Sequence, residues 1–98
     1  TKSNFQEILH QQDRLQLSKH AKERMAERNI YLDQDKQRLM EVKIKEAVKK
    51  GVQDSLILTK DAAFIVNAKN KLIITAMDKS EMQSKIFTGI NGTIILEE

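Results

Sequence analysis

Apolar positions recur every three or four residues through the first half of the chain and in short, dense runs through the second. This pattern predicts helices first and strands afterwards. Ser18 is suited to cap a helix running to about Arg28, with Leu17, Ala21 and Met25 at four-residue intervals on one side and Asn29 fit for a left-handed end. Asp33 can cap a second helix that continues to Lys50 and stops at Gly51. Its core side should carry Met40, Ile44, Ala47 and Val48. Beyond Gly51 the runs SLIL, AAFIVNA and LIITAM are rich in β-branched residues and separated by the turn-like pairs Lys60-Asp61 and Lys69-Asn70. They read as a three-stranded antiparallel meander with Phe64 alternating like a core residue. TIIL is expected to add a fourth strand, reached through the charged stretch DKSEMQSK and a turn at Asn91-Gly92. The predicted architecture is α+β, with two to three helices packed on one face of a four-stranded antiparallel β-meander sheet.

The opening, residues 1–14, reads as a flexible or short helical segment using Phe5, Ile8 and Leu9, and residues 15–98 as a single α+β domain. A length of 98 residues with 40% hydrophobic positions suits one core and leaves no room for a second. At that size few polar groups can be carried inside, so any site is expected to be shallow. The chain starts at Thr1 instead of Met, compatible with an upstream segment having been removed.

Cysteine is absent, which excludes disulfides, thiolate nucleophiles and the common structural zinc sites. No apolar run approaches the roughly 20 residues of a membrane span, and no secretion signal is evident. A cytoplasmic location without membrane insertion is the expectation. The net charge of +3 is too small to mark a nucleic-acid binder, but residues 14–50 hold eleven Lys or Arg against six Asp or Glu, and residues 51–98 hold five against six.

That basic excess directs attention to two helix faces. On the first helix His20, Arg24 and Arg28 are spaced by four, with Lys19 beside them, and on a helical wheel Arg28 lies inside the apolar sector defined by Leu17, Ala21 and Met25. One reading lays the arginine stems along the sheet and directs the guanidinium groups to carboxylates or carbonyls. The other makes Lys19, His20, Arg24 and Arg28 an anion-binding stripe for RNA phosphates or an acidic partner. On the second helix Arg38, Lys45 and Lys49 share a face, with Leu39 and Val42 turned toward it and away from the core set. Such a mixture suits a protein partner better than a phosphate backbone.

Catalytic signals are weak. Ser55, Thr75 and Thr88 have no recognisable base and orienting acid, and Asp54, Asp61, Glu97 and Glu98 form no working carboxylate pair. His20 has no second ligand at metal spacing, His10 lying ten residues away, so neither a metal nor another cofactor is expected. Aromatic residues for base stacking are limited to Phe5, Tyr31, Phe64 and Phe87.

Three blocks, SKHAKERMAERNI, GVQDSLILTKDAAFIVNAKNKLIITAMD and IFTGINGTII, together resemble a family of small bacterial flagellar operon proteins, over roughly residues 5–96. The resemblance rests on Ser18, His20, Ala21, Arg24, Arg28, Asn29 and Ile30 in the first block. In the second it rests on Ser55, Leu56, Leu58, Ala63, Val66, Lys69, Asn70, Thr75 and Ala76. The family pattern at the last block is closer to Phe-Thr-Asn-Ile-Asp, where this chain has Phe87, Thr88, Gly89, Ile90 and Asn91. The element order also resembles, more loosely, the RelE-like ribonuclease toxins. The flagellar resemblance implies a non-enzymatic factor acting at the hook stage through a hook, hook-cap or export-apparatus protein, cytoplasmic and associated with or exported through the flagellar apparatus. The alternative is an RNA-binding regulator or degenerate RelE-like ribonuclease using the basic helix 18–28. TIIL at a sheet edge would also allow a homodimer by strand addition.

Overall fold

The computed structural model describes residues 14–96, so the expectation for the opening segment lies outside the described residues apart from Arg14. In chain order the elements are β1 (Gln16–Leu17), α1 (Lys19–Glu27), α2 (Gln34–Lys49), β2 (Asp54–Leu58), β3 (Ala62–Asn67), β4 (Leu72–Asp78), α3 (Lys79–Met82) and β5 (Gly92–Ile95).

The local signals act as read. Ser18 accepts from the Ala21 amide and Asp33 from the Lys36 amide, satisfying first-turn donors that no helical carbonyl can reach. Asn29 and Gly51 both take positive φ, 56° and 88°, and so turn the chain out of the two helices.

The predicted sheet is corrected in two respects. Among the described residues it has five strands in the order β1-β4-β3-β2-β5, and it is mixed: β2, β3 and β4 form the antiparallel meander, while β1 runs parallel to β4 and β5 parallel to β2. For β5 the reason lies in the connection. Residues 79–91 are 13 residues, too long for a hairpin but about the dozen that a parallel crossover needs. The added β1 is made by pairing with β4, the Gln16 amide donating to the Lys71 carbonyl at 2.7 Å and the Ser18 amide to the Ile73 carbonyl at 3.0 Å. Leu17, grouped on the wheel with the helix, therefore belongs to a strand paired with Ile73.

The two sheet faces are covered differently. Ile57, Phe64, Val66, Ile73 and Ala76 meet Ala21 and Met25 of α1 and Met40 and Ile44 of α2 in the main core. Leu56, Ala63 and Met77 point the other way and are covered by Met82, Phe87 and Ile90 of the crossover. The short α3 thus sits on the face opposite α1 and α2, the two helices that share a face among the described residues.

Two assignments on α2 also change. Val48, expected inside, is 38% exposed, because the chain reverses at Gly51 and Val52 packs on the core instead, its amide donating to the Ala47 carbonyl. Leu39 packs against the core, since a helix lying on a sheet buries a stripe wider than a single row. Val42 remains outward, as expected. The TIIL segment does form a sheet edge, with Ile95 70% exposed.

Candidate functional site

The first-helix residues are organised by a bulge in β4. The register shifts between Ile65 and Val66, so that Val66 pairs with Ile73 and Ile65 with Thr75, leaving Ile74 as an extra residue. Ser18 uses this irregularity: its hydroxyl accepts from the Ala21 amide at 3.0 Å and donates to the Ile74 carbonyl at 2.8 Å. One side chain therefore starts α1 and fastens it to β4.

That anchoring points Arg24 and Arg28 across β4 toward Glu81 on the crossover. Arg28 Nε donates to Glu81 Oε1 at 2.7 Å and its Nη2 to Oε2 at 3.1 Å, a two-pronged clamp. Arg24 Nη1 reaches Oε2 only at 3.5 Å. Glu27 takes a further bond from Arg28 Nη1 at 2.9 Å. Glu81 in turn closes a capping box with Asp78, each side chain accepting from the other's backbone amide. The Arg28 hydrogen bond holds the Glu81 carboxyl below its ordinary range, outweighing the opposing effect of partial burial. Asp78 is lowered first by the Glu81 amide and then by the Ser80 hydroxyl. Arg28 is raised, chiefly by its bond to Glu81.

Beside this network lies a groove of about 410 Å³ lined by His20, Arg24 and Glu81 together with Ile74, Ile86 and Phe87. Arg24 Nε donates to His20 Nε2 at 3.5 Å. Thr75 and Thr88 line the same groove. Ser55 is fully buried in β2, donating to the Leu56 carbonyl.

Of the residues singled out in the sequence, the structure brings together His20, Arg24 and, through Glu81, Arg28. Lys19 is exposed on α1. Arg38, Val42, Lys45 and Lys49 are exposed on α2 and contribute nothing to the groove. Leu39, turned into the core, leaves Val42 as the apolar member of that outer set. Glu81, Lys85 and Ile86 escaped sequence reading. The D-x-x-E spacing of Asp78 and Glu81 was the available sign of a helix start, but nothing local indicated which cations would meet it. Among the described residues no group of three His, Asp or Glu is placed to hold a metal ion, and no helix is long and apolar enough to cross a membrane.

A family model described as "Putative flagellar" matches residues 73–95. This segment links the chain to flagellar proteins. No curated protein and no solved structure matches the chain, and nothing found supports the looser RelE-like similarity. The flagellar match runs from β4 through the crossover to β5, and nine of the twelve residues lining the groove fall within it.

Proposed function

We propose that this protein is a non-enzymatic flagellar assembly factor that acts at the hook stage by binding a hook, hook-cap or export-apparatus protein from the cytoplasmic side. The observation carrying this reading is the coincidence just described: the segment similar to flagellar proteins builds most of the walls of the groove. A surface recess that sets apolar side chains beside charged and hydroxyl ones has the composition of a docking site for another protein. The RNA alternative has less to draw on, because Glu81 occupies Arg28 and so removes that cation from the stripe on which it depends.

Self-association belongs to the same proposal. The outer side of β5 carries no strand among the described residues and no charge along Gly92–Ile95, the kind of edge that accepts a second copy. A mass measurement in solution tests that part separately.

The main experiment is a deletion strain complemented in trans and scored by electron microscopy of hooks and by swimming in soft agar. Truncated or absent hooks, restored by complementation, are expected. Normal hooks and normal swimming without the gene would rule the reading out.

A further inference from the structure

Building on the proposal that the protein docks flagellar partners, we infer that the groove takes a protein segment carrying a carboxylate side chain next to branched aliphatic ones. Its walls are apolar where a partner's side chains would rest: Ile74, projected by the bulge, half-buried Phe87, and Ile86, which is 89% exposed. Such an isoleucine beside a recess gains most from being covered.

The charged groups give the sign of the partner. Arg24 and Lys85 stand around the groove, with the His20 imidazole beside them, against one carboxylate, Glu81. That carboxylate is already committed, since Arg28 spans both its oxygens at 2.7 and 3.1 Å. Arg24 has two contacts, each at 3.5 Å, one to Glu81 and one to His20. A guanidinium offers five N–H donors in a planar fork, so two stretched contacts leave Arg24 able to pair with an incoming carboxylate side-on. Glu81 and His20 hold the fork over the groove without saturating it.

An acidic and aliphatic segment satisfies both features at once. A basic segment would be repelled by the cations, and an RNA strand would leave Ile86 uncovered while finding only half-buried Phe87 for stacking.

The full chain is applied to two peptide arrays, one tiled across the hook, hook-cap and export-apparatus proteins of the same cell, the other of randomised sequence. Wild type, Arg24→Glu and Ile86→Asp are compared, with thermal melts confirming that these surface variants fold. Bound peptides should combine Asp or Glu with Ile, Leu or Val, and labelled copies should lose about tenfold or more in affinity to each variant. If flagellar peptides bind without acidic bias, or bind both variants equally, the inference is overturned while the flagellar reading stands. If only the randomised array yields acidic, aliphatic binders that require Arg24, the inference stands and the hook-stage reading falls. Blank arrays, or Arg24-dependent binding of a labelled single-stranded RNA in preference to every peptide, would overturn the inference.

Discussion

Arg28, the residue that caps the end of α1, grips both carboxylate oxygens of Glu81, 53 positions later in the chain, at 2.7 and 3.1 Å. Through this pair the helical layer is joined to the crossover on the opposite side of the sheet. Glu81 also closes its own helix start with Asp78, so one carboxylate serves a local cap and a long-range tie. Both partners are partly solvated, which reduces what the charge itself contributes relative to the geometry it imposes.

Arg28→Met and Glu81→Gln should therefore each lower the melting temperature, and Arg24→Met should lower it less because its contact is longer. The double variant Arg28→Met/Glu81→Gln should fall short of the sum of the two single losses. Thermal unfolding followed by circular dichroism measures the coupling.

Acid should loosen the same junction. Glu81 and Asp78 both titrate below their ordinary values in the folded chain, so their contribution is fully present above the unfolded values of 4.5 and 3.8 and declines as pH falls below them. Arg28 is shifted upward and stays charged throughout this range. The drop in melting temperature between pH 5.5 and pH 3, measured in one buffer series, should be smaller for Glu81→Gln than for wild type.

The revised core assignments predict a graded series. Phe64→Ala, at a fully buried site under the long helices, should cost about 3–5 kcal/mol. Val48→Ser should fall within about 0.5 kcal/mol of wild type, as for ordinary surface changes. Leu39→Ser should cost more than Val42→Ser, whereas placing both on the basic face would give them similar small costs. Urea unfolding midpoints separate these cases.

Gly92 is confined by Val52. A Cβ placed on it would come within 2.7–2.8 Å of both Val52 methyl groups, and a β-branched side chain has little freedom to yield. Gly92→Ala should cost about 1–3 kcal/mol by overpacking. Combined with Val52→Ala it should cost less than the two singles together, as denaturant titration of the four proteins would show.

Asn91 ties the start of β5 to that of β2, its Oδ1 accepting from the Gln53 and Asp54 amides at 2.9 and 3.2 Å. An Asp can accept the same two bonds but cannot donate as Asn91 Nδ2 does to the Gly51 carbonyl at 3.4 Å, a long contact at an exposed turn. Position 89 has φ 74°, a conformation that Gly and Asn both tolerate. Asn91→Asp should stay within about 0.5 kcal/mol of wild type, and Asn91→Ala should lose about 1 kcal/mol. Melting curves distinguish the two.

By itself the sequence determined whatever depends on neighbours a few residues apart. The Ser18 and Asp33 caps, the left-handed exits at Asn29 and Gly51, the meander β2-β3-β4 and the buried stripe Met40-Ile44-Ala47 all follow from amide satisfaction and periodicity within one turn or strand. Only the tertiary structure decided where β5 pairs, that Leu17 belongs to a strand, and that Arg28 meets Glu81. A run such as TIIL has the same local pattern whether it pairs parallel or antiparallel. The choice is made by how far the 13-residue crossover reaches and by the far face of the sheet, which Met82, Phe87 and Ile90 must cover. The groove is created by that same choice, because its helical and crossover walls approach each other only after the chain has passed over the sheet.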